Sequence, residues 1–202
     1  MIEIIKNVDL FSHVSEYDAV LIGTNISYSM RHGFQRKVAI NYPYVYEANI
    51  STKYGDINKM GRILECKEQD LPTFIICYIN KTFNTRPDKI KDYLDYDALT
   101  NCIKLINVLY KGKKLASTMI GCSKFDGNGN KDKVLDIFNK NANSFDITLY
   151  DYEQKSKDEM YKELLEKEHQ IKEKDIKQYY KVVAERKKKE ELLKKLNGRT
   201  KF

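Results

Sequence analysis

Through the first 152 positions, short apolar runs bounded by turn residues alternate with stretches in which apolar residues recur three or four apart. Residues 2–6 form a β-branched run, and residues 18–23 an apolar one followed by Thr24 and Asn25. Both predict strands, the second buried on both faces, with a turn over residues 7–12 between them. Residues 61–66 and 73–79 predict two more, which the short turn at 67–72 makes a hairpin or sheet neighbours. Residues 115–120 and 146–150 bring the number to about six.

Helical spacing fills the intervals. Phe34, Val38 and Tyr42 predict a short helix that Pro43 interrupts, with another turn or two over residues 45–50. Leu94, Ala98, Cys102, Leu105, Ile106 and Leu109 would share one helix face, and Gly112 stands where such a helix stops. Val134, Ile137 and Phe138 mark a further helix entered at Lys131. Strands alternating with helices, several strands apolar throughout, predict an α/β fold: a mixed sheet of about six strands with helices on both faces. Past Tyr152 the pattern changes. Residues 155–197 contain neither Gly nor Pro and are rich in Lys, Glu, Leu and Gln, which predicts a long C-terminal helical tail. Its apolar positions, Leu164, Ile171, Ile176, Tyr179, Val183, Leu193 and Leu196, do not sustain heptads. A long helix packed partly on the body or on a partner is expected rather than a regular coiled coil. The chain thus reads as a domain over residues 1–152 and a charged extension over 153–202.

Charge sharpens that division. Residues 153–202 hold 16 of the 36 Lys and Arg and 11 of the 29 Asp and Glu, a net of +5, which leaves +2 on the body. The overall +7 therefore describes the tail rather than a basic face on the fold. Its run Arg186-Lys-Lys-Lys-Glu-Glu191 is either a solvated helix face or a contact for nucleic acid or a protein partner. Cys66, Cys77, Cys102 and Cys122 are widely spaced and histidines are not clustered, so the zinc templates fail and neither a metal nor a cofactor is expected. The first three fall in apolar runs and read as buried thiols of a reducing compartment. No signal sequence and no apolar run of about 18 residues is present, so the expectation is a soluble, cytoplasmic protein without membrane contact.

Three predicted loops leave strand C-termini, where ligands sit in open α/β sheets. Residues 24–35 are rich in hydroxyls; residues 80–85 place Lys81 directly after a buried strand; residues 121–130 carry Gly121, Gly127 and Gly129 among Ser123, Asn128 and Asn130. Glycines free of Cβ bulk let backbone N–H groups approach an anion, so the last loop reads as a phosphate cradle or as a plain surface turn. Neither GxGxxG nor GxxxxGK[ST] occurs, so a nucleotide-like ligand would be held without a Rossmann or P-loop fingerprint.

At these loops the sequence resembles the macro domains that bind ADP-ribose, over residues 1 to about 152. Val8-Asp9-Leu10-Phe11 is similar to the family's motif after its first strand, with Val8 in place of glycine. Gly23-Thr-Asn25 through Gly33-Phe34 resembles the ribose loop, and Ile120-Gly121-Cys122-Ser123 the Gly-Cys-Gly phosphate loop, Ser123 replacing the second glycine. The resemblance implies ADP-ribose, or an ADP-ribosylated substrate, as the partner. It implies Asp9 on the adenine amino group beside Leu10; Asn25, Ser29, Met30 and Gly33 around the distal ribose; and Gly121, Cys122, Ser123, Phe125 and Gly127 along the diphosphate.

Within the family, the terminal ADP-ribose protein glycohydrolases and ADP-ribose 1''-phosphate phosphatases are the nearest subgroup. Asn80-Lys81 resembles their lysine site, and Asp126, one position later than the family spacing, their aspartate. The implied chemistry is removal of ADP-ribose from a modified protein, Lys81 attacking the anomeric carbon and Asp126 assisting proton transfer, or removal of the terminal phosphate with His32 or Asp126 as acid or base. Taken alone, Lys81 also reads as a solvated strand-end lysine, Asp126 as an Asp-Gly turn residue and His32 as a loop residue, while Cys122 has no evident base. A non-catalytic ADP-ribose-binding or nucleotide-binding module, and an assembly protein acting through its basic C-terminal helix, are the alternatives.

Overall fold

A computed structural model describes residues 1–81, 92–123, 127–152 and 182–191. The chain divides into two compact units, Met1–Glu153 and Gln154–Phe202. In the second unit residues 182–191 are helical, with Arg186 paired to Glu190 one turn on. The rest of the expected tail helix lies outside the described residues.

The first unit is built on β1 (Ile2–Lys6), β2 (Ala19–Asn25), β3 (Ile63–Cys66), β4 (Phe74–Asn80), β5 (Lys114–Thr118) and β6 (Asp146–Asp151). Their order across the sheet is β1-β6-β5-β2-β4-β3. All neighbours are parallel except the β3–β4 pair, which is the expected hairpin, so the sheet is mixed. β2 and β4, apolar throughout in sequence, are buried at every residue because each has a strand on both edges and a helical layer on both faces.

Alternation along these strands splits the core in two. Ala19, Leu21, Ile75, Cys77, Ile79, Leu115, Ile147 and Leu149 face α3 (Tyr96–Leu109) and α4 (Lys131–Asn141). Val20, Ile22, Phe74, Ile76, Tyr78, Ala116 and Tyr150 face the 3-10 helix Leu10–Glu16, α1 (Gly33–Asn41) and α2 (Pro43–Ile50). The result is the three-layer arrangement expected from the pattern.

Element boundaries moved where local chemistry intervenes. The stretch expected to be only a turn over residues 7–12 winds into a 3-10 helix, because Asp9 caps it and Leu10 and Val14 bury one side. β2 runs on to Asn25, two residues past Gly23, and β5 stops at Thr118, where Cys122 N–H turns back to Met119 O. Pro43 does separate two helices, but as the first residue of α2, where its missing N–H costs nothing. The buried stripe of α3 is Ala98, Leu99, Cys102, Ile103 and Ile106. Leu94 precedes that helix and Leu109, its last residue, is 66% exposed, so neither belongs to the stripe.

Cys66, Cys77 and Cys102 are buried free thiols. Burial pushes the Cys66 thiol up to about 12, and a hydrogen bond with Cys102 together with burial raises Cys77. Among the described residues no helix is long and apolar enough to cross a membrane.

Phe138 on α4 is fully buried between the sheet and α3. Phe138→Ala should lower the unfolding free energy by about 3–5 kcal/mol, read as a lower urea midpoint at unchanged slope. Val108→Ala, at a position 76% exposed, is the control and should shift it by less than about 0.5 kcal/mol.

Candidate functional site

β5, β2 and β4 are adjacent and parallel, so the loops that follow them open side by side at one end of the sheet. β1 ends at that same end. Four strand spacings separate it from β4, about 19 Å, room for an extended ligand lying across the strand ends.

Among the described residues the strand ends, the glycine loop and the residues just before α3 meet through close packing; residues 82–91 of the loop after β4 lie outside the described residues. A Cβ on Gly23 would lie 2.6 Å from Ile79 Cδ1 and 2.7 Å from Ile120 Cγ1, so the residues that end β4 and lead out of β5 close over the β2 backbone only because Gly23 has no side chain. Gly121 has φ of +73° and lies beneath Leu94, whose Cδ1 would be 2.7 Å from an added Cβ. Leu94 likewise covers Gly129, and Asn80 Nδ2 lies 3.3 Å from where a Cβ on Gly127 would sit. Tyr93 N–H donates to Gly127 O at 2.7 Å and Asp95 N–H to Ile79 O at 3.0 Å, tying the start of α3 to the glycine loop and to β4.

Within the glycine loop, Gly127 and Asn128 donate to Ser123 O and Gly129 donates to Gly121 O. These N–H groups are spent on the loop itself. In its described part, an anion contact falls to the amides of Gly121 and Ser123, while the later glycines permit backbone to pass backbone: a Cβ on Gly127 would be 2.5 Å from Gly121 O. Cys122 is half-buried, and Phe125 and Asp126 lie outside the described residues.

The loop after β2 is organised from its first residue. Asn25 is buried, and its Oδ1 accepts from Ser27 N–H at 2.8 Å and Ser29 N–H at 3.3 Å, an Asx-type turn. Thr24 Oγ1 donates to Ser29 O at 3.4 Å. Ser29 is buried and Met30 packs into the core beneath α1, so contact from Met30 to a ligand would come from its backbone. Gly33 opens α1 at φ of +52° with open space around it. His32 lies at the surface ahead of that helix; partial desolvation, then the charges of Arg36 and Arg31, push its imidazole below the ordinary value.

Asp9 is half-buried, its Oδ1 accepting from Phe11 N–H at 3.1 Å and its Oδ2 paired with Lys37. An adenine amino group there would compete with Lys37. Leu10 is 1% exposed and packs inward. Lys81, one residue past β4, is exposed. Among the described residues no group of three or more His, Cys, Asp or Glu could hold a metal ion.

Gly23 and Asn80 enter the sequence reading only as members of the ribose-loop and lysine-site motifs, a glycine ending one apolar run and an asparagine ending another, and their packing against the neighbouring loops is not legible there. Leu94 reads in sequence as part of a helix stripe, and the positive φ of Tyr28 has no sequence signature.

The sequence matches no protein-family model and no curated protein. Solved structures do match. The macrodomain of Mycobacterium tuberculosis DarG is 18% identical with a TM-score of 0.57, over 76% of this chain and 99% of that one. A protein of unknown function from Bacteroides thetaiotaomicron is 15% identical with a TM-score of 0.61, over 75% and 98%. Thermosipho africanus DarTG in complex with ADP-ribose is 15% identical with a TM-score of 0.52, over 77% of this chain and 43% of that one. The chain has the macrodomain fold, as the resemblance of its motifs implied.

Gly127→Ala should force the glycine loop open: a cost of about 1–3 kcal/mol and faster amide exchange at Gly129. Gly33→Ala, where only the positive φ opposes a side chain, should cost roughly 1–2 kcal/mol and leave Gly129 exchange unchanged.

Proposed function

We propose that residues 1–152 bind ADP-ribose across the C-terminal ends of β1, β6, β5, β2 and β4, and cleave it from a modified protein side chain. The observation that carries this reading is that β5, β2 and β4, adjacent and parallel, release their chains at one sheet end of the macrodomain fold. A neighbour of that fold, Thermosipho africanus DarTG, is in complex with ADP-ribose. On this reading Asp9 and Leu10 would serve the adenine, Gly121, Cys122, Ser123 and Gly127 the diphosphate, and Asn25, Ser29, Met30 and Gly33 the distal ribose, while the contact expected of Phe125 falls outside the described residues.

In the cleavage step Lys81 Nζ, as the neutral amine, bonds to the anomeric carbon while the bond from that carbon to the modified carboxylate breaks and the carboxylate leaves with the electron pair. Asp126 takes the proton that the amine nitrogen releases. Water then replaces Lys81 at the carbon, returning the amine and free ADP-ribose. Lys81 is exposed one residue past β4, where a sugar can lie over it. The same chain residues without Lys81 turnover make a binding module, a reading the exposure of Lys81 favours. Removal of the phosphate of ADP-ribose 1''-phosphate uses the same cleft, with His32 or Asp126 at the phosphate.

Calorimetry with ADP-ribose should give a roughly micromolar Kd. Lys81→Ala should keep that affinity within a few-fold while turnover of an ADP-ribosylated acidic protein falls by about a hundredfold or more. Binding without wild-type turnover of that protein or of ADP-ribose 1''-phosphate selects the module. Absence of binding heat removes both readings and leaves an assembly role for the C-terminal extension.

A further inference from the structure

Tyr28 sits in the middle of the loop between β2 and α1 with φ of +61°. Bulky side chains avoid this region, and a residue is kept there only when its surroundings over-determine it. The surroundings come from the segment between α2 and β3. Tyr28 OH donates to Thr52 O, and its ring stands edge-on to Tyr54 with centroids 5.3 Å apart. Lys59, the last residue of the 3-10 helix Ile57–Lys59, places its ammonium 4.4 Å above the Tyr28 ring and 4.9 Å above that of Tyr78 on β4.

That ammonium also donates to Ile26 O, the first carbonyl past β2, at 2.9 Å, and to Thr52 Oγ1 at 3.1 Å. Gly55 N–H reaches the same Ile26 carbonyl at 2.9 Å. Beneath it the network closes on the buried side: Thr52 Oγ1 donates to Asn49 O at 2.8 Å and Tyr78 OH to Asn49 Oδ1 at 2.9 Å. Burial lowers the Lys59 ammonium from its ordinary value, with Asp56 opposing. One partly buried cation thus gathers the end of β2, the end of α2, and two aromatic rings.

We infer that Lys59 is a positioning residue for the ligand site, a latch that holds the loop of residues 26–31 in the one conformation that presents Ser29, Met30 and the start of α1 to the cleft. The inference rests on the ADP-ribose reading for what the loop presents itself to, but the latch is a property of the chain alone. Without the ammonium, Ile26 O and Thr52 Oγ1 lose a charged donor, and Tyr28 loses one of the contacts that offset its backbone strain. The loop then samples other conformations, and apparent affinity falls in proportion to the fraction still ordered.

The test compares Lys59→Met, close in length and without charge, with Lys59→Arg, which restores a cation over the rings. Amide exchange in residues 26–31 of the intact chain should speed up by about tenfold in Lys59→Met, with β2, β4 and α3 unchanged, and return toward wild type in Lys59→Arg. ADP-ribose Kd should rise about tenfold and recover in the same order. Unchanged exchange at residues 26–31, an equal rise across the whole sheet, or equal affinity in both variants and wild type would overturn the latch. If the wild-type chain gives no heat with ADP-ribose, the proposed function fails and exchange alone decides the latch.

Discussion

Every residue of β2 is buried, beneath a helical layer on both faces and between two edge neighbours, β5 and β4, that both run parallel to it. The rest of the site follows from this one constraint. With β5 and β4 parallel beside β2, three chain segments must leave the sheet at the same end within about 10 Å of one another. Their exits cannot spread, because the crossings that follow return over the sheet and Leu94 is drawn down onto Gly121 and Gly129. At Gly23 the constraint leaves no room for a side chain, since Ile79 and Ile120 occupy the space that one would need.

Given that crowding, the loops divide their polar groups between holding shape and meeting a ligand. The glycine loop turns Gly127, Asn128 and Gly129 N–H inward, and the loop after β2 turns Ser27 and Ser29 N–H toward Asn25 Oδ1. Asp9 likewise caps a helix and pairs with Lys37. Groups that look available in sequence are therefore partly committed, and the commitment fixes those that remain. With a net charge of only +2 on the body, the anion affinity that the proposed function calls for would draw on such oriented backbone groups more than on excess surface cations.

The sheet, its hairpin and both helical layers were legible because burial on two faces writes long apolar runs and burial on one face writes a 3.6-residue stripe. What escaped was set by contacts distant in sequence. Leu109 fits the stripe of α3 by spacing but falls at the helix end, beyond the cover of the sheet. Leu94 fits it too, yet serves as the lid on two glycines almost thirty and thirty-five positions further along. At the candidate site the glycines and Asn25 were visible as types, while their tasks were not: sequence cannot tell a glycine that admits an anion from one that admits a carbonyl, as at Gly127. The latch around Tyr28 was invisible because neither a positive φ nor a lysine facing two rings leaves a local pattern.

Lys59 and Lys81 both stand at this end of the sheet, and Lys59 shows why a lowered lysine pKa is insufficient to mark a nucleophile. Lys59 is desolvated, which favours its neutral form, but its nitrogen donates to Ile26 O and Thr52 Oγ1 and faces two aromatic rings that attract the cation. Its hydrogens are committed to those acceptors, and a lone pair freed by deprotonation would face aromatic π-density rather than the cleft. Lys81 has the opposite character: it is exposed, directly after β4, with the geometry of a strand-end residue that a ligand can cover. The cation that the fold holds on several acceptors serves structure, and the lysine left exposed at the strand end is the one that the proposed cleavage would call on.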